Sequence, residues 1–223
     1  LQETPKGVLR ISAPSSFGVM HLAPLIPKLQ QLYPDLKIDL TIEDLQIDVV
    51  DAGIDVTIRI ADMPDSSLIA RRLAQCRYVV CAAPDYLAKR GRPETPEALQ
   101  KHTCLLFQHW ITPEQWHFKN KEEQFVGVRV GNEICSNNSL ALREMLLAGA
   151  GITMAPTFLV GNDIADGRLE CVLNSYSIKP LSIYAVYPHR QYLAAKVRAF
   201  LEFLTEHINP DNPYWDAPIK EGS

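Results

Sequence analysis

The residues best suited to chemistry sit at two turns from strand into helix. Ser15 and Ser16 follow the β-rich run Gly7–Ala13 and Pro14, and a helical pattern starts directly after them. Asn137, Asn138 and Ser139 hold the same place further on, ahead of the apolar set Leu140, Met145, Leu146 and Leu147. A helix start has backbone N–H groups without intrahelical partners and carries the positive end of the macrodipole. At the carboxyl end of a parallel strand it makes a place for an anion. Two such starts facing one cleft would favour a carboxylate ligand. The plainer reading is that these side chains cap their helices, at about 1 kcal/mol each. Both readings stand at this point, although Gly18 and Val19 leave no Glu or Gln in place to complete a capping box with either serine.

Charged and wall residues cluster at the same strand ends. Glu43 and Asp44 lie just past the second strand, and Arg59 lies near the end of the third. A cation on a buried strand needs a partner; Asp55 or Glu43 could serve, or Arg59 could meet a ligand directly. Ile60 and Ala61, with Asp62, follow the third strand, and Ala155 and Pro156 end a later one; these read as walls, with Phe107 and Trp110 as candidates for the mouth.

Catalytic and metal-binding patterns do not form. Gly149-x-Gly151 lacks the third glycine of a dinucleotide fingerprint and stands after a helix and before a strand, the wrong order for that role. There is no Walker loop and no H-E-x-x-H among the six histidines. His102, Cys104 and His109 are a weak zinc set, and neither Ser12 nor Ser15 sits in a G-x-S-x-G elbow. Asn137-Asn-Ser139 matches a glycosylation sequon, which has no meaning for a chain in the cytoplasm. The expectation is a binding protein with no metal, no cofactor and no enzymatic activity.

The totals agree with that class. The 223 residues suffice for one large domain or two small ones, and 47% hydrophobic with 22% charged residues argues against disorder. A net charge of -4 gives no support for a nucleic-acid surface. No apolar run approaches the roughly 18 residues needed to span a membrane. The opening Leu1-Gln-Glu-Thr-Pro-Lys6 has no secretory pattern and no initiator Met, so a piece of a longer protein is expected. The five cysteines, Cys76, Cys81, Cys104, Cys135 and Cys171, are odd in number and form no C-x-x-C, which fits reduced thiols.

The elements that must position these residues alternate. Strands are expected at Gly7–Ala13, Lys37–Ile42 and Asp55–Ile60, with helices at Leu22–Tyr33 (irregular near Pro24 and Pro27) and Gln46–Ala52 between them. That is β-α-β-α-β, the pattern of a parallel sheet with right-handed crossovers. A long β-rich segment runs from Leu68 to Ala83. A second unit follows, with a hairpin around Lys119–Gln124, helices Ser139–Ala148 and Thr157–Asp166, and strands Ile152–Ala155, Leu169–Leu173 and Leu181–Tyr187. A last helix, Leu193–Ile208, has no strand after it and should pack back on the first unit. The expected division is 7–83 plus 189–208 as lobe I, 84–188 as lobe II and 209–223 as a C-terminal tail. The crossings would fall at Cys81–Asp85 and Tyr184–Pro188. Such a layout puts a cleft between the lobes and permits hinge closure.

Several runs carry a resemblance. Gly7-Val-Leu-Arg-Ile-Ser-Ala-Pro-Ser-Ser-Phe-Gly18 with His21-Leu-Ala-Pro-Leu25, Gly53-Ile-Asp-Val-Thr-Ile-Arg-Ile60, Pro64-Asp-Ser-Ser-Leu-Ile-Ala-Arg-Arg-Leu73, Cys81-Ala-Ala-Pro-Asp-Tyr-Leu87 and Gly149-Ala-Gly-Ile-Thr-Met-Ala-Pro156 resemble the effector-binding domain of LysR-type transcriptional regulators. The similarity is close over 7–105 and looser over 108–135. It implies an α/β fold of two lobes with a central cleft, joined by two crossover strands, like type 2 periplasmic binding proteins. It implies a cytoplasmic protein, not bound to membrane, that controls transcription. DNA would be bound only through an N-terminal winged helix-turn-helix that this stretch lacks. A homodimer or tetramer is implied, pairing Leu22–Tyr33 with Ser139–Ala148 of another copy. The effector would be a small organic acid held by Ser15, Ser16, Phe17, Asp44, Arg59, Ile60, Ala61, Asn137, Asn138, Ser139, Ala155 and Pro156. The rivals are an extracytoplasmic solute-binding protein of the same fold, against which the odd cysteines weigh, and a two-lobed enzyme, for which no general base or nucleophile is in view.

Overall fold

In the strand β1 (Gly7–Ala13), Leu9, Ile11 and Ala13 face inward and are essentially fully buried. This half-apolar pattern, with β2 (Leu36–Ile42) and β3 (Val56–Ala61), builds a parallel sheet: β2 pairs along all of β1, from Gly7↔Leu36 to Ala13↔Ile42, and β3 pairs on its other side. The order is completed by β12 (Leu181–Tyr187), antiparallel to β3, and by β4 (Ile69–Cys76), giving β2-β1-β3-β12-β4. The computed structural model describes residues 4–44, 53–62, 68–110, 112–120, 122–131, 133–188 and 193–220. The helix expected at Gln46–Ala52 and the segment Pro64–Ser67 lie outside them.

The chain between β1 and β2 winds in pieces. Ser15–Phe17 is a short α-helix (α1), Gly18–Leu22 a π-helical turn, Ala23–Leu25 a 3-10 turn and Ile26–Leu32 an α-helix (α2). Pro24 and Pro27 lack the N–H a regular helix needs, so the register changes around them. Gly18 lies close to β1 and β2: a Cβ there would meet the tip of the Ile42 side chain, which would have to turn, and lie 3.2 Å from Ala13 Cβ. The final long helix, α6 (Ala195–His207), packs on β1 and buries Val197, Phe200, Leu201, Phe203 and Leu204. Each such side chain contributes about 1.5–3 kcal/mol.

The other sheet has the order β10-β5-β11, from β5 (Tyr78–Ala82), β10 (Ile152–Pro156) and β11 (Glu170–Val172), all antiparallel. Beside it lie the parallel pair β6 (Leu105–Phe107) and β9 (Ile134–Ser136) and the hairpin β7 (Gln115–Lys119) and β8 (Phe125–Arg129). Their helices are α3 (Pro84–Arg90), α4 (Ser139–Leu147) and α5 (Thr157–Ala165), with a 3-10 turn at Pro96–Lys101. Val80, Leu87, Leu99, Leu106, Trp116, Phe118 and Ile152 centre this core.

Two compact units result: Leu1–Gln75 with Leu181–Tyr214, and Cys76–Pro180 with Trp215–Ser223. The β-rich segment 68–83 breaks at Arg77, leaving β4 in one sheet and β5 in the other. The sequence pattern puts the changes of unit near 83 and 188; the compact units of the structure change at 75/76 and 180/181, one strand earlier. The cause is pairing. Cys81 bonds within the second sheet and Tyr184 within the first. The tail continues into a 3-10 turn, Tyr214–Asp216, and α7 (Ala217–Lys220).

Candidate functional site

In the first unit, Pro14 takes the N-cap position of α1, and Ser15 and Ser16 are its first helical residues. Neither serine hydroxyl caps the helix. The Ser15 N–H instead donates to Asp44 Oδ1 at 2.9 Å, so a carboxylate brought by the end of β2 meets this helix start. Ser15 and Ser16 are both buried. Phe17 is 1% exposed, and its ring stacks on His21 at 5.5 Å, which makes it a core residue. Arg59 is half-buried on β3 opposite Tyr184, followed by Ile60 and Ala61 opposite Ile183 and Ser182. Asp55, a partner considered for Arg59, accepts from Lys196 Nζ at 2.6 Å and from the Arg10 N–H at 2.9 Å.

In the second unit, Asn138 is the N-cap of α4. Its Oδ1 accepts the Ala141 N–H at 3.0 Å, and its own N–H donates to Ser136 Oγ at 3.1 Å. The capping reading therefore holds for the Asn138 carbonyl, while its amide NH2 remains a donor. Asn137 is exposed and Ser139 opens the helix half-buried. Ala155 is buried at the end of β10, and Pro156 is the N-cap of α5. Phe107 packs edge-on against His109 at 5.3 Å, and Trp110 against Tyr78 at 6.0 Å.

The sequence reading missed what holds α4 to α5. Asp163, 1% exposed, accepts from Arg143 Nε and Nη2, both at 2.7 Å, and is also reached by Arg168. This bond raises the Arg143 pKa further above its usual value. The pair fixes the two helices whose starts carry Asn138 and Pro156. A carboxylate next to last in the run Phe158-Leu-Val-Gly-Asn-Asp-Ile164 is the available signal.

Burial pushes the Cys76 and Cys104 thiols up to about 12 and raises Cys81 and Cys171. His102 is held below its usual pKa by burial and by Arg90, beside the Tyr86 hydroxyl at 3.1 Å. Among the described residues no cluster of three or more His, Cys, Asp or Glu side chains is placed to hold a metal ion, and no helix is long and apolar enough to cross a membrane. An open concavity of about 940 Å³ in the second unit is bordered by Tyr78, Leu169, Tyr176, Ala217 and Ile219, and none of the predicted binding residues lines it.

Each of the two α/β units carries a polar helix start at the end of a strand, Ser15 in the first and Asn138 in the second. The chain belongs to the LysR substrate binding domain family, which matches residues 2–209. It is 33% identical over 214 residues to the HTH-type transcriptional regulator DmlR of Escherichia coli K12, covering 96% of this chain and 69% of that protein. It is 35% identical over 214 residues to PtxR of Pseudomonas aeruginosa, covering 93% of this chain and 66% of that one. The solved structure of CrgA, a LysR-type transcriptional regulator from Neisseria meningitidis, superposes with a TM-score of 0.83 at 32% identity, covering 92% of this chain and 70% of that one. The fold is thus that of LysR regulatory domains, which is type 2 periplasmic-binding-protein-like. The chain is an effector-binding domain of transcription regulation.

Proposed function

We propose that this domain senses a small organic acid in the cytoplasm, as a homodimer or tetramer, and passes the binding event to a DNA-binding domain elsewhere in the same regulator. The ligand contacts are assigned to Ser15, Ser16, Asp44, Arg59, Ile60 and Ala61 in the first unit and to Asn137, Asn138, Ser139, Ala155 and Pro156 in the second. Phe17, whose ring is buried against His21, belongs to the same turn as Ser15 and Ser16. The observation that carries the proposal is the Asn138 turn: its carbonyl caps α4, and its NH2 is a further donor group at the helix start. The Ser15 turn differs, because Asp44 already answers its positive pole. That end suits a donor group of the ligand, and the carboxylate belongs at Asn137–Ser139. Relatives named as transcriptional regulators favour this reading over a solute-binding protein.

The test is equilibrium dialysis of the purified chain against small mono- and dicarboxylic acids, with the acid recovered and analysed. One class of acid should be retained at saturable stoichiometry and recovered unchanged. Retention of none, or conversion of the retained acid, would overturn the assignment.

A further inference from the structure

The family match ends at residue 209, yet the chain beyond it is docked on both units. On the first unit, the Gln75 N–H donates to Pro210 O at 3.0 Å, Arg72 pairs with Asp211 at 3.1 Å, and the Tyr214 hydroxyl meets His21 Nδ1 at 2.6 Å. On the second unit, Trp215 is 4% exposed and lies edge-on to Phe158 with ring centroids 6.4 Å apart. Asp216 is 2% exposed and is held from two sides, by Arg77 Nη1 at 2.8 Å and by Thr157 Oγ1 at 2.6 Å. Gly161 of α5 makes room for this segment, since a Cβ there would come within 2.7 Å of Trp215 O.

Two features give these contacts their meaning. Tyr214 is anchored in one unit and Trp215, its chain neighbour, in the other. One trans peptide unit spans only about 3.8 Å between Cα atoms, so this crossing has no slack. The tail also binds residues on either side of the first crossing: Pro210 takes Gln75 and Asp216 takes Arg77.

We propose that residues 210–216 form a third crossing strap that braces the hinge between the units, with Asp216 as its anchor on the second. The strap limits how far the units move on each other, whatever ligand the domain takes. Arg77 and Thr157 are positioning residues that hold the anchor.

The test is a distance distribution by pulsed electron spin resonance, using labels on native Cys135 and on Glu206→Cys in a Cys171→Ser background diluted with unlabelled protein. Cys135 is exposed in the second unit and Glu206 is exposed on α6 of the first. Asp216→Ala, and truncation after Asn209, should broaden the distribution and add a population at new distances. Hydrogen exchange within β1 and β10 should stay as in the parent. Asp216→Asn keeps the volume and the Thr157 bond, and serves if the alanine variant does not fold; it should broaden the distribution less. An unchanged distribution in these variants would overturn the proposal. So would loss of protection throughout β10 and α5 in Asp216→Asn, which would make the tail a part of the second unit's core rather than a brace.

Discussion

Removing the Arg143 charge while keeping much of its stem, as in Arg143→Gln, should loosen α4 from α5 by an amount that can be worked out beforehand. Asp163 is 1% exposed and takes two bonds of 2.7 Å from one guanidinium. Taking one partner from a buried pair costs about 3–5 kcal/mol, because the remaining charge is left desolvated. Arg168 still reaches Asp163 but is 51% exposed, so it recovers only part of that cost. The low end of the range, about 3 kcal/mol, is the expected value. For a chain of this size it corresponds to about 6–12 °C in Tm. The assay is urea unfolding followed by circular dichroism, within a double-mutant cycle with Asp163→Asn. Coupling of about 1–3 kcal/mol between the two sites is expected. A loss under about 1 kcal/mol, as for an exposed pair, would show that the bond does not hold the two helix starts in place.

Other outcomes follow from the same packing. Gly18→Ala makes the Ile42 side chain turn and presses on Ala13, and should cost about 1 kcal/mol, the low end for overpacking, in thermal unfolding; Val19→Ala, on the exposed neighbour, should cost little. Asn138→Ala removes the α4 cap and should cost about 1 kcal/mol, with faster amide exchange confined to the first turn of that helix. Timed alkylation with mass spectrometry should modify Cys135 first and Cys171 later, while Cys76, Cys81 and Cys104 react only on unfolding. Burial and Arg90 hold His102 below its usual pKa in the fold, so as pH falls the unfolded chain binds that proton first. Its contribution is complete above its usual 6.5 and is lost as pH falls below that value. His102→Gln should flatten that part of the profile of Tm against pH.

The fold was readable where contacts are local. The period-two pattern marks β1, Asn138 and Gly149 mark the two ends of α4, and Pro156 and Gly167 mark those of α5. What was not readable came from partners far apart in the chain. Asp44 answers the Ser15 helix start from 29 residues away, and Arg143 finds Asp163 across 20. Nothing local in either sequence window encodes such a pairing. The change of unit inside 68–83 was hidden for the same reason: β4 and β5 look like one β-rich run, and only their partners assign them to different sheets. The docking of residues 210–216 is not legible locally either, because the partners of Asp216, Arg77 and Thr157, are remote in sequence.

The central claim is that Ser16 and the Asn138 turn hold a small acid. The most direct measurement is thermal shift with a panel of small carboxylic acids, on the parent chain and on Ser16→Ala combined with Asn138→Ser. Serine keeps the cap and removes the amide donor, so the fold should survive. The account predicts a concentration-dependent rise in Tm with one class of acid in the parent and none in the double variant. The same rise in both, or no rise with any acid, would contradict it.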